Sequence, residues 1–169
     1  PNLKPTNILN IDARWELYPQ AGEVVAVSGF YKYFDQPILE VLDTPGAGGC
    51  RVSYANATSA TNYGAEFEAR KSLGFIGSGF RGFSAGLNAL VVRSRVTLDT
   101  VNFGQLNQQL SLQGQSPYLF NANLNFSSPR AGFTASALLN YFADRIVRYG
   151  IVDRTATVRA VLTCGIELP

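Results

Sequence analysis

From Asn10 to Leu17 the chain alternates without a break: Asn10, Asp12, Arg14 and Glu16 are polar or charged, while Ile11, Ala13, Trp15 and Leu17 are apolar. A β-strand turns successive side chains to opposite faces, so this stretch suits a wall with water on one side and an apolar medium on the other. The pattern recurs. Val25, Val27, Gly29, Tyr31 and Tyr33 oppose Val24, Ala26, Ser28, Phe30 and Lys32, and Tyr63, Ala65, Phe67 and Ala69 oppose Gly64, Glu66, Glu68 and Arg70. Phe83, Ala85, Leu87, Ala89 and Val91 likewise oppose Ser84, Gly86, Asn88 and Leu90. Tyr118, Phe120, Ala122, Leu124 and Phe126 oppose Leu119, Asn121, Asn123 and Asn125, and Phe133, Ala135, Ala137, Leu139 and Tyr141 oppose Thr134, Ser136, Leu138 and Asn140.

These runs predict strands over 6–18, 24–34, 51–73 with a bulge near Ala57 to Ala60, 83 onward, 118–126 and 133–141, with a weaker seventh over 155–164. Short turns at 19–22, 74–81 and 127–132 alternate with long loops at 35–50 and 96–112. Strands of roughly 10 to 14 residues exceed the usual five or six of soluble sheets, and about 9 to 11 suffice to cross a bilayer. Membrane barrels place short turns on the periplasmic side and longer loops outside. The expected fold is therefore all-β: an antiparallel up-and-down meander of about seven long strands, part of a transmembrane β-barrel or derived from one. Aromatic residues crowd the strand ends at Trp15 and Tyr18, Phe30 to Phe34, Phe126 and Phe133, where interfacial girdles belong.

Composition narrows the function. One domain is expected over 1–169, with no apolar run near the roughly 20 residues of a membrane helix. The net charge of +2 and the dispersed Lys and Arg argue against nucleic acid. Histidine is absent, which removes the commonest general base and metal ligand, and Cys50 and Cys164 have no CxxC spacing. No catalytic, cofactor or metal site is expected, and the chain is read as non-enzymatic. Gly77 to Gly82 spells GxGxxG, but a strand pattern rather than a helix follows it, so it reads as a turn. Glu66 and Glu68 share a face without a nucleophile or cleft to make them catalytic.

The faces supply the site expectations. Asp12, Arg14, Glu16, Glu66, Glu68, Arg70, Asn121, Asn123 and Asn125 are candidates to line a lumen, although opposite charges on such a face also pair across strands for purely structural reasons. Ile11, Trp15, Leu17, Tyr31, Tyr33, Phe67, Phe83, Leu87, Tyr118, Phe120, Leu124, Phe126, Phe133, Leu139 and Tyr141 are candidates to face lipid or an interface. Long loops at 36–50 and 97–112 are the expected recognition surfaces. The strand order puts Cys50 at the loop end and Cys164 near the turn end, so the two are not expected to bond.

Tyr54 to Leu73, with its Asn62 and its Gly64-Ala65-Glu66-Phe67-Glu68 core, resembles a barrel strand of TonB-dependent outer-membrane receptors. Ser28 to Ile38 resembles the same family's ascending strand, and Gln113 to Asn125 a later descending one. The resemblance covers about residues 5–150, with an atypical ending over 151–169. It implies a wall segment of a receptor that imports a scarce nutrient across the bacterial outer membrane. The implied partners are membrane lipid, the remaining barrel strands and a plug, and TonB where an N-terminal part exists. Two readings stand beside it. One is a truncated receptor-like sheet held by another protein that covers its edges, without transport; the other is a soluble β ligand-binding domain. An open sheet leaves unpaired backbone groups at both edges, which in hydrocarbon cost several kcal/mol each, so something must cover them.

Overall fold

The computed structural model describes residues 3–43, 51–98, 109–148, 154–156 and 159–167. Its main sheet is an antiparallel meander in the order β1 (Asn7–Leu17), β2 (Val24–Asp35), β5 (Ser59–Ser72), β6 (Phe83–Thr97), β8 (Tyr118–Ser128), β9 (Phe133–Phe142) and β12 (Arg159–Glu167). The two-residue β7 (Gln109–Leu110) pairs with the end of β6. Short turns at 18–23, 73–82 and 129–132 lie at one end of the sheet, and the longer connections leave the main strands after Asp35, Thr97 and Phe142 at the other. Gly22 at φ 82° and Gly132 at φ 61° take left-handed conformations in two of the tight turns, where a side chain would be strained. The third holds two short 3-10 turns, Leu73–Phe75 and Ser78–Phe80, so the GxGxxG spelling is indeed a turn.

The connection expected to be a loop over 35–50 carries a strand, and a second short hairpin precedes the last strand. Residues 38–43 form β3 (Ile38–Asp43), which pairs with β4 (Arg51–Asn56) as a separate hairpin, and β10 (Arg145–Arg148) pairs with β11 (Arg154–Ala156). The expected single strand over 51–73 is thus two strands, and the expected bulge is a kink. Asp35 pairs with Ser59 and Ile38 with Asn56, three residues on along each strand, so no residue is inserted. Ladder bonds continue through the kink, from Gln36 N–H to Thr58 O at 3.3 Å and Ala57 N–H to Pro37 O at 2.8 Å. Pro37 has no N–H to offer and Gln36 sits at φ 52°, which bends the hairpin without shifting its register. Phe142 pairs with Arg159 and Arg145 with Ala156, again three residues on along each strand.

The compact apolar core sits at the loop end. Leu39, Ala57, Ala60, Val96 and Leu98 are buried together, with Phe34, Leu110, Leu112 and Ile146 packed on them. Gln113 donates to the Glu40 carbonyl and accepts from its N–H, both at 3.1 Å, and Gly114 N–H bonds Ile146 O at 2.7 Å. These bonds tie the β3 hairpin, the 110–117 segment and β10 into one unit. Cys50 and most of the expected loop over 97–112 lie outside the described residues, as do 151–153, 157–158 and the last two positions of the ending. The Cα of Cys164 pairs with that of Ala137, four residues into β9 from its turn.

Candidate functional site: a two-faced wall

Residues paired across antiparallel strands share a face, so the registers assign every expected site residue to a side. One row runs Asp12, Phe30, Gly64, Val92; the next Arg14, Ser28, Glu66, Leu90, Leu119; the next Glu16, Ala26, Glu68, Asn88, Asn121, Asn140. Arg70 pairs with Gly86, which pairs with Asn123, and Ser84 pairs with Asn125. All nine polar candidates therefore lie on one face. The opposite face carries rows such as Trp15, Val27, Phe67, Ala89, Phe120, Tyr141 and Leu17, Val25, Ala69, Leu87, Ala122, Leu139.

The polar face holds a connected network near the turn end. Arg14 Nη2 reaches Glu68 at 2.8 Å, also pairs with Glu16, and Tyr18 donates its hydroxyl to Glu16. Separate pairs elsewhere on the face join Asn10 to Asp12, Asn88 Nδ2 to Glu66 at 2.6 Å and Asn125 Nδ2 to Asn123 at 2.9 Å. Arg70 donates to Gly22 O at 3.1 Å, so it braces a turn as well as lining the face. Arg14 and Glu68 pair across strands, as the structural reading of such a face anticipates, while Arg14 and Glu16 pair along the same strand.

Sequence reasoning passed over Glu23. Its residue is 4% exposed, and its carboxylate accepts from Lys71 at 2.9 Å and from the Ser72 N–H at 3.3 Å. The Lys71 ammonium holds that carboxyl below its ordinary range, with the backbone bond helping and the loss of solvent opposing. No alternation pattern could reveal this, because Glu23 stands in a turn.

Large apolar side chains stay in the open on the second face: Ile11, Trp15, Leu17, Val27, Tyr31, Tyr33, Tyr63, Phe67, Tyr118, Leu124 and Tyr141 are all exposed. Soluble monomers rarely leave so continuous a patch uncovered. Aromatic residues bracket it. Phe80, Phe83, Phe126 and Phe133 form a chain of rings at the turn end, with successive centroids 5.9, 4.6 and 6.1 Å apart. Tyr31, Tyr33, Tyr63, Tyr118 and Tyr141 stand toward the loop end. Phe30 and Phe34, expected among the girdle residues, turn instead to the polar face; Phe34 packs on the loop-end core and the Phe30 ring lies over Gly64. Their even positions in β2 dictate that side.

Among the described residues no group of three metal-ligating side chains occurs, and no helix is long and apolar enough to cross a membrane, which says nothing of a β-barrel.

Comparisons with known proteins agree with this geometry. The family model for the TonB dependent receptor-like beta-barrel matches residues 1–161. The copper transporter OprC is similar over 96% of this chain and 24% of its own, with 15% identity and a TM-score of 0.70. The ferric enterobactin receptor PfeA of Pseudomonas aeruginosa, solved as a single-site variant, is similar over 97% of this chain and 24% of its own, with 15% identity and a TM-score of 0.61. The chain thus spans about a quarter of the length of these solved structures, and at this identity they share its fold. No curated protein sequence matches it. The described sheet is an open one, and the chain belongs to the TonB-dependent receptor β-barrel family.

Proposed function

We propose that this chain is a stretch of barrel wall in an outer-membrane receptor that imports a scarce nutrient, with its polar face to the lumen and its apolar face to lipid. The segregation of faces by register, held through the described long strands of a family-matched sheet, carries the reading. Tyr63 and Lys71 on β5 mark the ends of the apolar band, eight residues apart, or roughly 27 Å along a strand rising about 3.4 Å per residue. A tilt of about 40° brings that height to about 20 Å, close to the roughly 25 Å of a barrel's apolar band.

On this reading lipid covers the apolar face, the remaining strands of the barrel pair with the outer edges of β1 and β12, and a plug domain meets the lumen network. Energy reaches the receptor through TonB. No chemistry is assigned to the wall, which is read as non-enzymatic. The three loop-end connections, whose described parts share a core, are the recognition surface for the solute.

Uptake by cells carrying the protein tests the proposal. Accumulation of a receptor-class solute should require both the protein and TonB. Uptake that persists without TonB, or a purified species whose edges are held by a different protein, would favour a structural subunit instead.

A further inference from the structure

The kink between β2 and β3 exchanges the faces of the ribbon. Even-numbered Phe34 and odd-numbered Leu39 both pack in the loop-end core, as do even-numbered Ala60 and odd-numbered Ala57 on the partner strand, although no residue is inserted between them. Successive residues of an unbroken ladder alternate, which would put Leu39 on the face opposite Phe34. Gln36, left-handed at φ 52°, is where the alternation breaks. With the faces exchanged, Leu39 and Ala55 pack inward while Ile38, Val52 and Tyr54 stand exposed. Both faces of the hairpin carry apolar side chains, so hydrophobic burial does little to choose between them.

Hydrogen bonds outside the ladder make the choice. The Asn56 side chain accepts from the Lys4 N–H at 2.9 Å and donates to the Lys4 carbonyl at 2.9 Å, as the backbone of a paired strand would. It donates also to the Gln36 carbonyl at 2.7 Å, and the Thr6 hydroxyl donates to the same carbonyl at 3.0 Å. An unfavoured backbone angle persists where its surroundings over-determine it, and here two side chains grip the carbonyl of the strained residue. Asn56 pairs with Ile38, so it shares the exposed face of the hairpin and ties that face to the segment leading into β1. Only an amide can hold all of these bonds, because a carboxylate accepts without donating.

We propose that Asn56 is a specificity-determining positioning residue, which fixes Ile38, Val52 and Tyr54 as the face that the β3 hairpin offers to the solute. The part in recognition rests on the reading of the loop end as the recognition surface; the choice of face does not.

Thiol labelling in detergent tests this in the protein with Cys50 and Cys164 replaced by serine. A water-soluble maleimide should react at least about tenfold faster with Tyr54→Cys than with Ala55→Cys, adjacent positions on opposite faces. Asn56→Ala should speed the reaction of Ala55→Cys at least about threefold without speeding that of Tyr54→Cys. Asn56→Asp keeps the shape but loses both donated bonds and should do the same, a result readable even if the alanine variant does not fold. Arg130→Gln, in the distant 129–132 turn, should leave the ratio of the two rates as it is. An unchanged ratio in either folded Asn56 variant, or equal acceleration at both thiols, which reports loosening without exchange of faces, would overturn the assignment. The labelling is blind to which face of the wall meets lipid, so failure of the clamp and failure of the wall reading are separately visible.

Discussion

Arg14 on β1 and Glu68 on β5 meet at 2.8 Å although β2 runs between them. The link passes over Ala26, whose register places it between Glu16 and Glu68 and whose exposure is 1%. A small residue on the middle strand lets the guanidinium span two inter-strand spacings, close to 10 Å.

Replacing Ala26 by leucine should therefore break the Arg14 to Glu68 link while leaving the β1–β2 ladder in place. Arg14→Gln should loosen β1 in the same way. Both side chains are about a third exposed, so the effect should shrink as salt rises and the screening length falls below about 10 Å. Hydrogen exchange of β1 amides at low and high ionic strength reads it; equal exchange in wild type and Arg14→Gln at low salt would contradict the bracing role.

Two glycines on the polar face should respond differently to alanine. A Cβ at Gly64 would lie 2.5 Å from the Val91 carbonyl oxygen and 2.8 Å from the Phe30 ring, whereas at Gly86 its close neighbours are atoms of the Asn123 side chain. Backbone cannot step aside, so Gly64→Ala should cost about 1–3 kcal/mol as an overpacked site. Gly86→Ala should cost less and release the Asn123 to Asn125 bond. Thermal unfolding in detergent compares them, and a larger loss for Gly86→Ala would contradict the packing described.

Leu39 is 3% exposed and anchors the β3 hairpin to the loop-end core. Leu39→Ala should weaken that core by about 2–5 kcal/mol. The loss should appear as faster protease nicking within the loop-end connections, with the thermal transition of the barrel itself nearly unchanged. Nicking at the unaltered rate would show that the hairpin does not depend on this core.

Acid should loosen the turn end. The folded Glu23 carboxyl lies below its ordinary range, so its stabilisation is complete above the unfolded carboxyl value and is lost as pH falls through the folded one. Glu23→Gln should be less stable at neutral pH and should lack this part of the acid dependence. Thermal unfolding of both proteins from pH 7 to pH 3 checks the sign.

The meander was legible because two-residue periodicity is a direct projection of strand geometry, and Asp12 to Glu16 or Asn121 to Asn125 reveal their face without tertiary knowledge. The β3 strand was hidden by Pro37 beside it and by the glycine run after it, both ordinary loop signals. What overrides them is long-range: the hairpin keeps the β2–β5 register and packs Leu39 against Ala60 and Val96 from the main sheet. The Glu23 bond to Lys71 and the Asn56 clamp on Lys4 and Gln36 arise from contacts between distant segments, which alternation cannot encode.

Spin labels read the central claim most directly. After Cys50 and Cys164 are replaced by serine, single cysteines at Val27, Ser28, Leu87 and Asn88 carry a nitroxide, and the protein is placed in lipid bilayers. The account predicts that Val27 and Leu87 labels collide with oxygen dissolved in lipid, whereas Ser28 and Asn88 labels collide with a water-soluble nickel chelate. Labels at neighbouring positions that report the same medium would contradict a wall with lipid on one face and water on the other.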